Sequence, residues 1–322
     1  MSSRPDFLSF THTSTSSPSP SSSQPTSSLP AAVALLITDT LDAPASFVLV
    51  QLVAHALRPA AAPGGGSGAA GKRRVVVLGV RERDEYWTAV LKKSGIQTPN
   101  ERSTGHFTFI DGSSPSLALP DLFAALAAAL VAPSQSAPPA SPAGTGDALG
   151  PLVVIDDVSA LLWTGRDARE VVRWWRGVRA LVAQHSASLV TLLHADSLSP
   201  SPTFSLAPAA SAVAFDSPED QYLFRQVLQR CDLWAQVDGF GNGGSGARGE
   251  LSLHRGPSLL SPSPALSSAS APASSPAPAD YWTVDAPRMG ARAWQFRLDE
   301  AKGAVWNVKG GGGGAGGEAL VR

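Results

Sequence analysis

Cysteine is almost missing from this chain. Cys231 is the only one, which excludes an internal disulfide framework and any zinc site built on thiolates. Net charge is nearly absent as well: Lys+Arg 25 stand against Asp+Glu 26, a formal −1. No global field therefore points to nucleic acid or a membrane surface, although a local basic patch stays open. Long apolar runs are lacking, and none approaches the roughly 18 residues that a span requires. Near the start, Arg4 is opposed by Asp6 and no apolar stretch follows a basic one. The expectation is a protein of the cytosol or nucleus with no leader and no membrane contact. His55, His106, His185, His194 and His254 show no metal-ligand spacing, and no Gly-x-Ser-x-Gly elbow occurs. No metal, cofactor or catalytic residue is expected from these patterns.

What the chain has in plenty is small and turn-forming residues, with Gly 30 and Pro 27. They gather with Ser and Ala in tracts whose apolar area is too small to offset the entropy of ordering them. The expected organisation is a disordered Ser/Pro-rich tail over 1–30, one domain over 31–309, and a Gly-rich tail over 310–322. Low-complexity inserts interrupt that domain at 59–71, 131–150, 197–211 and 256–279. Removing the tracts leaves roughly 220 residues, enough for one core.

Between the tracts the pattern alternates strand and helix. Residues 32–39, 74–80, 152–155 and 188–195 are short apolar runs, as in strands covered on both faces. Residues 106–111 and 233–237 complete the strand set, while 46–57, 84–93, 121–131 and 167–183 read as helices. In the last of these Val171, Trp174, Trp175, Val178, Leu181 and Val182 share a stripe, with Arg166, Arg169, Arg173 and Arg176 opposite. Ser217, Pro218, Glu219 and Asp220 open another helix that ends near Arg230. After it come short alternating runs at 250–253, 281–284, 293–298 and 304–309. The class is α/β: a mostly parallel central sheet flanked by helices and finished by antiparallel C-terminal edge strands.

Two motifs test for nucleotide chemistry. Leu152-Val153-Val154-Ile155-Asp156-Asp157 has the shape of a Walker-B strand, whose terminal acid holds Mg²⁺ in a working NTPase. An apolar strand ending in Asp is common in any α/β protein, so the partner motif decides. The phosphate loop would have to sit at 39–46, after the first strand. There Asp39, Pro44 and Ala45 stand where two glycines and a lysine are required, and only Ser46 matches. Pro44 removes an N–H donor, and Asp39 and Asp42 would repel a polyphosphate. The run 241–246 fits G-x-G-x-x-G, but a strand rather than a helix follows it, so it reads as a mobile hairpin loop. Arg248, His254 and Arg255 near that loop, with Arg173 and Arg176 on the helix stripe, are the nucleic-acid candidates. The bland alternative is a solvated turn and a wet helix face.

Several segments taken together resemble the sixth subunit of the Elongator complex. They are Leu35-Leu36-Ile37-Thr38-Asp39-Thr40, Tyr86-Trp87 with Leu91-Lys92-Lys93-Ser94-Gly95, and the run from Leu152 to Trp163. The runs from Ser188 to Asp196 and from Gly249 to Pro257, and Trp294-Gln295-Phe296-Arg297-Leu298, complete the set, in order from about Ala32 to Lys309. The resemblance implies a RecA-like fold without a Walker A, a pseudo-ATPase. It also implies a heterohexameric ring with the fourth and fifth subunits. That ring would dock on the catalytic Elongator subunits and handle tRNA during wobble-uridine modification. No catalytic residue carries over. Competing readings are a residual ATP-binding RecA-like NTPase, a RecA-like DNA-repair accessory module, and the fifth Elongator subunit.

Overall fold

A computed structural model describes residues 10–11, 29, 31–40, 43–58, 72–114, 117–132, 150–195, 217–239, 248–256, 283–284, 292–299, 303–307 and 318–320. Its first half holds strands β1 (Phe10–Thr11), β2 (Ala34–Asp39), β3 (Val75–Gly79) and β4 (Phe107–Asp111) with helices α1 (Ser46–Leu57), α2 (Asp84–Lys93), α3 (Thr98–Ser103) and α4 (Leu119–Val131). Next come β5 (Leu152–Asp156), α5 (Ser159–Trp163), α6 (Ala168–Gln184), β6 (Ser188–His194), α7 (Pro218–Leu228) and β7 (Leu233–Gly239). The strands β8 (Arg248–Arg255), β9 (Thr283–Val284), β10 (Arg292–Asp299), β11 (Gly303–Asn307) and β12 (Glu318–Leu320) close the chain.

One sheet runs β12-β11-β10-β8-β7-β2-β6-β5-β3-β4. Pairings from β7 through β4 are parallel, and those from β8 outward are antiparallel. The first long strand, β2, lies inside the sheet between β7 and β6, and β6 separates it from the strand that carries Asp156. A parallel core flanked by helices, with antiparallel strands added beyond β7, is the α/β arrangement expected.

Strand periodicity explains the layers. Leu35, Ile37, Val75, Val77, Val154, Val190 and Leu192 join α1 and Trp87 of α2 in one core cluster. Their sequence neighbours Leu36, Val76, Leu78, Val153, Ile155, Leu189 and Leu193 point the other way and meet α4, α6 and α7. Successive side chains alternate across the pleat, so a run apolar at every position demands a cover on both faces. The buried stripe of α6, Val171, Trp174, Trp175, Val178 and Val182, supplies much of the second cover. Asp167 caps that helix by accepting from Arg169 N and Glu170 N, and Ser217 caps α7 by accepting from Asp220 N. Indole N–H groups tie the covers to the sheet: Trp175 Nε1 donates to Thr191 Oγ1 at 3.0 Å and Trp234 Nε1 to Thr38 Oγ1 at 2.9 Å.

At the N-terminal edge a buried arginine does similar work. Arg73 donates to the carbonyls of Leu29 (2.8 Å), Gly150 (2.5 Å) and Pro151 (3.2 Å) and to Ser188 Oγ (2.6 Å). It gathers the starts of β3, β5 and β6, and burial pushes its pKa down to about 10.

The structure adds elements to the sequence reading. Helices α3 and α5, of 6 and 5 residues, fall where no helix was expected. Pieces of the expected tails also take part: β1 pairs with β9, β12 pairs with β11, and Leu29 is buried. Gly150 and Gly256, assigned to inserts, pack tightly: a Cβ on either would lie 1.9 Å from a carbonyl oxygen, of Ser186 and of Cys231. Most of the inserts, the loop at 241–246 and Asp42 lie outside the described residues.

Candidate functional site

Ligands of open α/β sheets bind beyond the C-terminal ends of the parallel strands, and the Walker-type residues of this chain are gathered there. Asp39 ends β2, Asp156 ends β5, Asp157 follows it, and His194 ends β6. All four are buried, at 1%, 2%, 0% and 8% exposure.

Each of these side chains is already engaged by the protein. Asp39 Oδ1 lies 2.8 Å from His194 Nδ1, and Asp39 Oδ2 accepts from Ala45 N at 2.8 Å. The backbone amide of Ala45, which a phosphate loop would turn towards the ligand, is thus held by the chain's own carboxylate. A second contact tightens the turn, Ala43 N donating to Thr40 O at 3.0 Å. Pro44 stands between them with no N–H to offer. Ser46, the single residue matching a phosphate loop, is hydrogen-bonded to the Tyr86 side chain, whose pKa burial raises.

Asp156 is turned inward. Its Oδ1 accepts from Val80 N (2.6 Å) and Arg81 N (3.0 Å), and its Oδ2 from Glu82 N (3.2 Å) and Trp87 Nε1 (3.0 Å). The carboxylate therefore folds the turn after β3 and anchors α2. Burial pushes its pKa up to about 7, with the indole and backbone donors pulling the other way. Asp157 has φ 68, a left-handed backbone that Asp tolerates better than most residues. Its Oδ1 accepts from Ser159 N at 3.1 Å, and Arg81 Nη1 lies 3.5 Å from Oδ2. Burial, then the nearby Asp39 charge, raises the Asp157 pKa to about 6. Ser159 Oγ in turn accepts from His194 N at 2.9 Å. The cavity left among Ser46, Tyr86, Trp87, Asp156 and Asp157 is about 30 Å³, room for a water or two. Its acids are spent on folding the edge, and Asp157 Oδ2 is the one oxygen among them with no hydrogen-bond donor in the described residues.

The five nucleic-acid candidates are not brought together. The register sets Arg255 opposite Leu233 and Gly249 opposite Gly239, so Arg248 and Arg255 stand at opposite edges of the sheet. His254 is half-buried, its ring 4.9 Å from that of Trp234 and its Nε2 3.0 Å from Ser252 Oγ. Burial lowers its pKa, so the ring favours the neutral form. On α6, Arg173 is exposed, whereas Arg176 is half-buried and donates to Gln226 Oε1 of α7. Arg166 is also drawn in and donates to the Leu117 carbonyl. The stripe expected to be a uniform wet face is thus partly an interhelical contact. Two features escaped sequence reasoning: the Asp39–His194 contact, and the pairing of Arg176 with Arg179 and Arg230 in one groove. Arg179, one turn on from Arg176, was the available hint for the second.

Among the described residues no helix is long and apolar enough to cross a membrane. No protein-family model matches the sequence, and no curated protein matches it either. Among solved structures the chain is similar to a KaiC-like protein from the hyperthermophilic archaeon Pyrococcus horikoshii, at 8% identity and a TM-score of 0.48, over 86% of this chain and 90% of that one.

Proposed function

We propose that this chain is a non-catalytic subunit of the Elongator accessory ring. It would assemble with the fourth and fifth subunits and support tRNA wobble-uridine modification through the catalytic subunits. The observation that carries the non-catalytic part is the Asp39 carboxylate bound to Ala45 N, with Pro44 beside it. A phosphate loop works by aiming free backbone N–H groups at an anion, and here the key amide faces a buried acid instead. Support for the partner assignment is the ordered set of resembling segments, from Leu35 to Leu298. An apolar, two-faced scaffold keeps its value in such a ring after nucleotide chemistry is lost, because neighbours bury its surface.

The test is co-expression with the fourth and fifth subunits, read by native mass spectrometry. The expected product is a ring containing this chain in equal stoichiometry, and its absence overturns the partner assignment. A fluorescent ATP analogue added to the full chain should not bind at micromolar concentration. Binding there would restore the NTPase reading.

A further inference from the structure

A groove of about 330 Å³ opens at the edge of the sheet opposite the acid cluster, at the lower end of the size range of small-molecule sites. Its floor is apolar, from Val33, Ala183 and Leu189, and Arg176, Arg179 and Arg230 line it. The first two arginines stand on α6, and the third lies just beyond α7.

These guanidiniums outnumber their acids. Arg179 Nη2 lies 3.5 Å from Asp232 Oδ1, and the other oxygen of Asp232 accepts from Ala34 N at 2.8 Å. Among the described residues, neither Arg176 nor Arg230 has a carboxylate at ion-pair distance. Both lean on Gln226: Arg176 donates to its Oε1, and Arg230 Nη1 reaches its carbonyl at 3.1 Å and its Oε1 at 3.3 Å. One neutral amide oxygen thus serves two cations. Arg176 Nε is buried without a hydrogen-bond partner among the described residues. Burial, then repulsion from Arg176 and Arg179, lowers the Arg230 pKa. Helix polarity does not account for Arg176 and Arg179, because the last turn of α6 contains no basic residue; Arg230 alone lies at a helix C-terminus, just beyond the α7 cap.

We propose that this groove binds a phosphate monoester, with the phosphoryl group on Arg176 and Arg230 and the esterified organic part on the apolar floor. Three guanidiniums against Asp232 leave a net charge of +2, and a monoester carries about −1.5 to −2 at neutral pH. A carboxylate or one phosphodiester would leave half of that charge unmet. The charge is gathered in one pocket rather than strung along a face, which suits a single dianion over a polyanionic strand. Guanidinium forks match phosphate oxygens two at a time. The inference does not depend on ring assembly.

Isothermal titration of the full-length chain with adenosine 5′-monophosphate, a phosphoserine peptide and sulfate is the direct test. One ester should bind about tenfold more tightly than sulfate, and which one does so identifies the source as a small molecule or a modified protein. Arg176→Gln and Arg230→Gln should each weaken that binding about tenfold, the loss expected for one charge-assisted contact. Exposed Arg173→Gln should leave it unchanged. In a second arm that needs no variant, the ester should protect Arg176 and Arg230 of the wild-type chain from an arginine-specific dicarbonyl reagent. No ester binding tighter than sulfate, or no protection, overturns the proposal.

Discussion

Replacing Asp156 by alanine removes an acceptor that serves Val80 N, Arg81 N, Glu82 N and Trp87 Nε1 at once. Val80 and Trp87 are buried, at 6% and 1% exposure, so their N–H groups lose their partner away from bulk water. An orphaned buried donor costs about 1–3 kcal/mol, which puts the loss near 3 kcal/mol once water fills part of the gap. The sign with pH follows from the raised pKa, about 7 in the fold against 3.8 for an aspartate free in water. Between those values the folded chain holds a proton that the unfolded chain has released. Asp156 therefore contributes most to stability at the acid end of the window and least once pH has risen through 7. Thermal melts of wild type and Asp156→Ala at pH 5 should differ by about 6–12 °C, at 2–4 °C per kcal/mol for a domain of this size. The gap should narrow by pH 8. A gap that widens with pH would mean that the four donors outweigh burial and that Asp156 is ionised in the fold. A difference under 1 °C at pH 5 would refute the anchoring role altogether.

Other substitutions probe the same frame. Trp175→Phe keeps the ring but leaves Thr191 Oγ1 without its indole donor; a loss of about 1–2 kcal/mol is expected in urea denaturation. Arg73→Met should cost about 2–4 kcal/mol in the same assay, because three carbonyls and a hydroxyl lose their donor. In Gly79→Ala the new Cβ would sit 2.3 Å from Glu82 O and 2.4 Å from Phe109 Cζ. The turn must then shift, and soluble yield should drop with the melting temperature. Rebuilding the loop with Pro44→Gly and Ala45→Lys should still give no micromolar ATP binding by fluorescence titration, since Asp39 keeps its place beside His194.

Periodicity made much of this fold readable before any coordinates. The run 152–155 and the stripe from Val171 to Val182 could satisfy their apolar side chains only by burial, and both are buried except for Leu181, which is half-buried. Turn chemistry was legible at Ser217, which does cap its helix, whereas Asp167, read as the first helical residue, is the cap of α6. Helices α3 and α5 are too short to show a period, so they left no signal. The interior of the site was hidden for another reason. Asp39 and His194 are 155 positions apart, and only the sheet order places them side by side. A helical wheel gives the direction of Arg176 but not what lies opposite, and Gln226 of α7 is there. The motif at 152–157 was visible, yet which donors its acids would meet depends on the turn after β3 and on Trp87 of α2.

The two edges of the sheet carry opposite signs, and the order is the reverse of what anion chemistry on this kind of frame requires. At the C-terminal edge Asp39, Asp156 and Asp157 lie together under the first turn of α1, with Arg81 as the nearby cation on Asp157. Electrostatics there opposes a polyphosphate before any question of shape arises. At the N-terminal edge Arg73 is buried among carbonyls, and Arg176, Arg179 and Arg230 share one groove. An anion drawn to this chain is therefore steered away from the place where a RecA-like nucleotide site would sit. Reopening that site would take more than restoring glycines and a lysine. The acid at 39 would have to leave Ala45 N, and its removal would strip His194 of the carboxylate that holds its ring. On the proposed reading, the missing nucleotide site would be built into the packing of the edge, where each acid closes a turn or fixes a side chain.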